Sequence, residues 1–557
     1  MRKAITTAGI ALAAMLALAG CVGIPTSGGV QTGPVINGQL APDVVVLPSG
    51  PTAGADQRTI LTDFMQAVRG PQNDYATARE FLSKSLAATW DPNASALIRS
   101  SAATINPSAS EDSLDYTVTS NAYVDADGRY FEQAQASQTL QFAFIKENGE
   151  WRISQAPSGI VLSQSSFNIV FAEQALYFFD PSNAYLVPDV RWFPSRSTVP
   201  VRIVRALLAG PASWLGQGVL SSAFPIATTL GTKTVVIEAG TATVDLSKEA
   251  LTASPQQRAR MRQELAATLG AADVIMTVGG IELTAPDASG TGGVVNPVVE
   301  GPVLVGTGTD FGFDGGDSIT AIDGLSSKLV AGGAITATLT EDKQSAAFLG
   351  GDGVAYVARI GSDPARALDS RGGLAAPSID PFRFVWSAQA ASAATLTTFE
   401  VNGTEHPVQS GLPADARIVS MELSRDGARI LFYLATPLGP RLVVAGIIRG
   451  QGNVPTALGE LVDLPVSSDS PIGAAWVNDR TVAAVSSAGD AAPVMLFELG
   501  GPSSVLGELP DAVSITGGND STSGLRVLRS SGEIWRPAGS GGWVNTGIKA
   551  TFLGTKQ

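Results

Sequence analysis

Reactive side chains are scarce in this chain. It has one cysteine and one histidine in 557 residues, and charged residues make up only 15%. A lone cysteine permits no internal disulfide, so any folded part must rely on packed cores. Zinc sites need clustered histidine and cysteine, which this composition cannot supply. A Ser/His/Asp constellation would have to use His406, which follows the turn Asn402-Gly403-Thr404, and no Gly-x-Ser-x-Gly elbow accompanies it. That histidine is expected to be a solvated loop residue. Basic residues are also few: 36 Lys and Arg stand against 50 Asp and Glu, for a formal net charge of −14. This balance argues against a nucleic-acid partner and against a surface that hugs anionic headgroups. Beyond residue 20 no apolar run is long enough to span a bilayer.

What is present begins at the N-terminus. Arg2 and Lys3 precede an uncharged apolar stretch from Ala4 to Leu18, followed by Ala19, Gly20 and Cys21. The pattern reads as a secretory signal segment. Leu18-Ala19-Gly20-Cys21 resembles the lipobox of bacterial lipoproteins. That resemblance implies cleavage between Gly20 and Cys21, a diacylglyceryl group on the Cys21 thiol, and acylation (palmitate being typical) of the new amino terminus. A thiolate is well suited to such alkylation. Two or more acyl chains hold a protein on a membrane where one binds only marginally.

At 57.1 kDa the chain is too long for one core, and about three domains are expected. Residues 1–20 read as signal peptide, and 21–55, rich in Gly, Pro, Ser and Thr, as the lipidated cysteine and a flexible tether. From 56 to 165 the pattern is α+β. Ile60, Phe64 and Val68 share a helix face stopped by Gly70-Pro71, and Tyr75, Ala78, Phe81, Leu82 and Leu86 mark a second helix. Tyr116-Thr117-Val118 and Ala122-Tyr123-Val124 read as strands, Asp127-Gly128 and Asn148-Gly149 as hairpin turns, and Leu140, Phe142 and Phe144 alternate. Helices followed by a curved sheet resemble the nuclear transport factor 2-like cone.

Residues 166–290 read as an α/β unit. Strands are expected at Gln174 to Asp180, Ala184 to Phe193, Thr234 to Glu238, Thr243 to Leu246 and over Val274, Met276 and Val278. Helices are expected over Val201 to Leu208 and from Ser254-Pro255, an N-cap and first helical residue, to Gly270. Residues 284–302 contain Ala288-Ser289-Gly290-Thr291-Gly292-Gly293 and read as a linker with little to bury. From 300 to 557 short apolar strands are broken by Gly, Asp, Ser and Pro. Related fragments recur at Lys343 to Leu349, at Leu423 to Phe432 with Ser424-Arg425-Asp426-Gly427, and at Ala475 to Val485. A strand, a Gly turn and a returning strand recur once per blade in β-propellers, and the spacing predicts five or six blades. A pair of β-sandwiches is the alternative.

Ala206-Leu207-Leu208-Ala209-Gly210-Pro211, Ser222-Ala223-Phe224-Pro225 and Thr243-Val244-Asp245-Leu246-Ser247 resemble the landmarks of the GerMN domain. With the lipobox, the α+β module and the β-rich C-terminal half, the chain resembles the LpqB family of actinobacterial lipoproteins. The expected fold class is therefore multidomain: an α+β N-terminal module, an α/β GerMN module and an all-β propeller. The resemblance implies a lipid-anchored protein on the extracytoplasmic face of the cell membrane. It further implies that this protein meets the extracytoplasmic part of a sensor kinase of the MtrA–MtrB two-component kind, linked to cell division and envelope homeostasis. A protein that binds or modifies peptidoglycan or other cell-wall glycan is the alternative.

Other motifs weigh less. Asp310, Asp314 and Asp317 lie among glycines, as calcium ligands can, but their spacing is not that of an EF-hand and a polar turn explains them. Gly306-Thr307-Gly308 lacks the lysine and helix of a phosphate loop. Arg191-Trp192-Phe193-Pro194 and Ser213-Trp214-Leu215 could anchor a partner or simply fill a core. No catalytic or metal-ligating residue and no cofactor is assigned, and an enzyme is not expected. Cys21→Ala should leave the chain uncleaved or free of the membrane, without label from radioactive palmitate; label still entering that variant would refute the lipid site.

Overall fold

The computed structural model describes residues 48–557, apart from 109, 196–198, 288–291, 317, 468, 519–520 and 540–541. Cys21, the signal segment and most of the tether therefore lie outside the described residues.

The N-terminal module starts with the helix Gln57–Ala67. The Asp56 side chain accepts from the Thr59 amide at 2.8 Å and caps it, and Ile60, Leu61, Phe64 and Ala67 form its buried face. The second expected helix is broken into Ala76–Arg79 and Lys84–Thr89. The break has a physical cause. Phe81 and Ser83 exchange backbone hydrogen bonds with Ile153 at 2.9 and 2.7 Å, so this stretch leaves the helix to pair with the sheet. Ser83 then caps the next helix through the Leu86 amide. The sheet runs in the order Glu150–Gln155, Tyr130–Glu147, Ser113–Asp125, Ser95–Arg99, Ile160–Ser163, with Thr104–Pro107 also on Ser113–Asp125. Both predicted short strands, 116–118 and 122–124, belong to that one 13-residue strand, whose buried side alternates regularly. Phe64 meets Trp90 and Phe142 edge-on at 5.5 and 6.3 Å, joining helix to sheet. The core takes in Phe167, Val170 and Phe171, past the expected end at 165.

In the second module, Phe171–Phe179 and Tyr185–Pro194 form a hairpin, and Leu230–Glu238, Thr241–Leu246, Asp273–Val278 and Ile281–Glu282 form a second sheet. The helix Pro255–Leu269 starts where Ser254 accepts from the Gln257 amide and ends on Gly270, which is left-handed at φ 60°. Its Met261, Leu265 and Leu269 join the core formed with both sheets. Glu264, on the same helix, is fully buried; it accepts from the Ala223 amide at 2.9 Å and so pins the turn Ser222-Ala223-Phe224-Pro225. Burial pushes its carboxyl up to about 8, so it is mostly protonated at neutral pH.

The expected loose linker is stitched down. Val294–Val295 adds a parallel strand to Tyr185–Pro194, Asn296 accepts from the Asp479 amide at 3.2 Å, and Val299 is buried. Of its valines only Val299 is buried; the stretch is held mainly by the backbone pairing of Val294–Val295 and by Asn296.

Beyond residue 300 the strands form six four-stranded blades, the upper of the two expected counts. Their innermost strands are Ala334–Leu339, Ser378–Ile379, Arg417–Leu423, Ser470–Trp476, Ala512–Thr516 and Phe552–Lys556, and each touches the next around a ring. Five blades are continuous in sequence. The sixth joins Phe552–Lys556 to Leu304–Gly306, Phe311–Asp314 and Ile319–Ala321. Gly554 pairs with Leu304 and Phe552 with Gly306 antiparallel, while Thr555 pairs with Thr338 in parallel, so this strand closes the ring. Gly306 is required there: a Cβ on it would lie 2.2 Å from the Phe552 ring. Four of the turns leaving inner strands are braced by a side-chain oxygen. Asp342 accepts from the Gln344 amide, Asp380 from Phe384, Asp426 from Ala428, and Asn478 from Thr481.

Phe552→Ala should lower stability by about 3–5 kcal/mol in urea unfolding, because the ring-closing strand loses its anchor. Leu438→Ala, at a fully exposed side chain, should change it by less than about 0.5 kcal/mol. Equal midpoints for the two variants would contradict the closure.

Candidate functional site

The residues singled out from sequence scatter. His406 lies on the outer strand Glu405–Pro407 of the second blade rather than in a loop, and its Nε2 meets Glu400 Oε1 at 3.0 Å. Asp310 precedes and Asp314 ends the strand Phe311–Asp314, and both are occupied locally, accepting from the Thr309 hydroxyl and from the Gly316 amide. Asp317 lies outside the described residues. Gly306-Thr307-Gly308 enters a hairpin against the closing strand. Among the described residues no group of three His, Cys, Asp or Glu side chains could hold a metal ion.

The two aromatic pieces do come together, where the three modules meet. The Trp192 ring lies 5.0 Å from Phe167 and 5.9 Å from Tyr130 of the N-terminal module, and its Nε1 donates to the Gly500 carbonyl of the propeller at 2.8 Å. Arg191 and Asp189 form a buried two-point ion pair at 3.0 and 2.6 Å. The Arg191 Nη1 also donates to the Asp127 carbonyl of the N-terminal module at 3.0 Å. Trp214 packs against both the second module's core and that of the propeller, and Ser213 donates to Glu460 at 2.8 Å. Here Gly446 lets Val219 approach: a Cβ would stand 2.6 Å from its methyls. Glu132 accepts from the Ser503 amide and hydroxyl at 3.1 and 3.0 Å, tying the first module to the third. Between these contacts lies a cavity of about 290 Å³, lined by Arg129, Phe131, Trp214, Arg429 and Arg480 among others.

Beside the cavity the charges are tightly coupled. Arg480 of the propeller pairs with Glu173 of the second module. Burial, then the neighbouring Glu173 carboxylate, pushes the Glu498 carboxyl up to about 7, with Arg480 opposing. Burial likewise raises Asp479. An aromatic and aliphatic wall with mutually paired charges holds surfaces together and can seat a loop or side chain of another protein. Sequence reading missed Glu173, Asp479, Arg480 and Glu498. The Glu173–Arg480 pair spans 307 positions, and no local pattern announces it.

A six-bladed β-propeller follows two mixed modules among the described residues, and comparison with known proteins identifies the family. Family models match in the same order as the modules: "Lipoprotein LpqB, N-terminal domain" over residues 50–168, "Sporulation and spore germination" (Germane) over 175–285, and "Lipoprotein LpqB beta-propeller domain" over 313–548. The chain belongs to the LpqB lipoprotein family. Among curated relatives, Lipoprotein LpqB of Cutibacterium acnes is 30% identical over 281 residues, covering 50% of this chain and 47% of that one. Its counterpart in Nocardia farcinica is 30% identical over 220 residues, covering 39% and 36%. The Bifidobacterium longum protein is 30% identical over 285 residues, covering 48% and 49%. The matched part thus spans about half or less of these relatives' length. A chain of the "Crystal structure of Nidogen/Laminin Complex" aligns with a TM-score of 0.30 at 9% identity, over 45% of this chain and 90% of its own, too distant to bear on fold or function. Among the described residues no helix is long and apolar enough to cross a membrane.

The junction carboxyls predict a pH dependence. A raised carboxyl binds its proton more tightly in the folded state, so stability should fall as pH rises from the ordinary glutamate range to about 7, then level off. Glu498→Gln should remove its own share of that slope, leaving the share from Glu264 and Glu422, and gain about 1–2 kcal/mol at pH 8. Urea unfolding across pH 4–8 tests this; an unchanged slope in the variant would sink it.

Proposed function

We propose that this chain is a lipid-anchored extracytoplasmic protein that acts by binding rather than by catalysis, and that it modulates a membrane sensor kinase of the MtrA–MtrB kind. The observation that carries the reading is the union of one lipobox cysteine, Cys21, with three modules docked into one body by Trp192, Arg191, Arg480 and Glu132. Membership of the LpqB lipoprotein family supports the anchor, and the family resemblance implies the kinase. In this reading the N-terminal helices and curved sheet form a nuclear transport factor 2-like cone, and the second module is an α/β GerMN unit. Each offers a face beside the propeller, and the lipid holds all three in a thin layer against the membrane. Confinement raises the effective concentration of a membrane neighbour, so a modest interface is enough.

The reading makes a quantitative demand. The anchored protein should alter kinase output at expression levels where an unanchored form, residues 56–557, has no effect, while that form still binds the isolated kinase ectodomain at high concentration. Equal complementation by the unanchored form would remove the role of the lipid. If the ectodomain does not bind while purified cell-wall polymer does, the glycan reading replaces this one.

A further inference from the structure

In a chain with a formal net charge of −14, one cavity gathers positive charge. It measures about 150 Å³ and lies where four of the inner propeller strands end, at Leu423, Trp476, Thr516 and Lys556, with residues 301–304 along one side. Arg425, Arg526 and Lys556 all line it.

Two of these cations have no carboxylate partner. Lys556 donates its Nζ to the Gly301 carbonyl at 2.7 Å, and Arg526 donates Nη1 to the Ser523 and Leu525 carbonyls at 2.8 Å. Neither forms an ion pair within the described residues, although acids outnumber bases in the chain. Neutral carbonyls fix the geometry of the two heads, and Asp314 offsets Arg526 only from beyond ion-pair distance. Burial, then Arg425, Arg526 and Lys343, pushes the Lys556 amine down to about 8. Burial and Arg536 likewise lower Arg526, with Asp314 opposing. The acid in the wall, Glu422, accepts from the Thr555 hydroxyl at 3.1 Å, and burial holds its carboxyl up at about 7. The raised carboxyl carries less than its full charge near neutral pH, which weakens its repulsion of an incoming anion.

We propose that this cavity is an anion site that takes a phosphate group, free or as a terminal monoester. A guanidinium fork and an ammonium are the two side-chain heads that recognise phosphoryl oxygens, and a partly desolvated site strengthens both contacts. The volume matches. A cavity of about 150 Å³ has room for a phosphate group. The site is independent of the kinase reading, since it rests on the propeller alone.

Titration calorimetry on the detergent-solubilised full chain tests the proposal, using inorganic phosphate and glycerol 3-phosphate at constant ionic strength with chloride as reference. Saturable binding of either probe below about 10 mM is expected, and the tighter of the two identifies the free or esterified source. Arg526→Gln and Lys556→Met should each weaken it by about ten-fold or more. Lys556→Arg should keep most of it, which separates lost charge from lost fold. Arg529→Gln, on the same strand as Arg526 but paired with Asp511, should leave it unchanged. No binding of either probe in the wild-type chain would overturn the proposal. So would equal binding in a natively folded Arg526→Gln/Lys556→Met double variant.

Discussion

Ring closure by one short strand is the constraint on which the rest of the molecule depends. Phe552–Lys556 bonds to Leu304–Gly306 on one side and to Ala334–Leu339 on the other. Without it Leu304–Gly306 and the inner strand Ala334–Leu339 would present open edges, and five blades would have no reason to keep the curvature of a ring. The closing contact is dense because Gly306 and Gly554 carry no side chain where Phe552 and Leu304 must fit. The same strand supplies Lys556 and Thr555 to the axial cavity. One element thus completes the fold and builds its most distinctive pocket.

The closed ring is then a rigid surface for the other two modules. Ion pairs within it serve the same end. Arg449 reaches Asp380 at 2.7 Å with both side chains buried, and Trp386 donates to the same carboxylate at 3.1 Å, fixing the turns that face outward. A buried pair contributes little net stability, but breaking it is costly, so it holds one arrangement against others. At the junction the same logic applies to Arg191–Asp189 and Arg480–Glu173. The tryptophans add area and direction together: each ring fills a core while Trp192 donates a hydrogen bond across a module boundary.

Local chemistry was legible in the sequence and long-range pairing was not. The Ser254-Pro255 start and Gly270 stop of one helix, the Gly70-Pro71 break and the hairpins at Asp127-Gly128 and Asn148-Gly149 depend on a few neighbouring residues, and the chain follows them. The recurring Ser-x-Asp-Gly fragment marked a blade because Asp426 braces a turn that similar residues brace in the first, second and fourth blades. The sixth blade could not be found that way, since its strands come from opposite ends of the module. Helical spacing misled from Tyr75 to Leu86 because a distant partner, Ile153, captured the backbone. The aromatic fragments at Trp192 and Trp214 were visible, but their shared place at the junction was not. The charged groups around them, and the cations of the axial cavity, converge only once the ring exists.

The separation of the two strands that close the ring also has a meaning in time. Thr551 bonds to Gly306 across 245 intervening positions, and a chain emerges from its N-terminal end first. While it is synthesised, the edges at Leu304–Gly306 and Ala334–Leu339 stay open until the strand Phe552–Lys556 arrives. Bringing distant ends together carries an entropic penalty that local hairpins escape, so closure is the slow event of assembly. A nascent molecule halted a few residues short would display two unsatisfied strands to its surroundings. Pairing of Phe552–Lys556 therefore converts two exposed backbone edges into one covered seam, and the order of synthesis places that step after the five local blades.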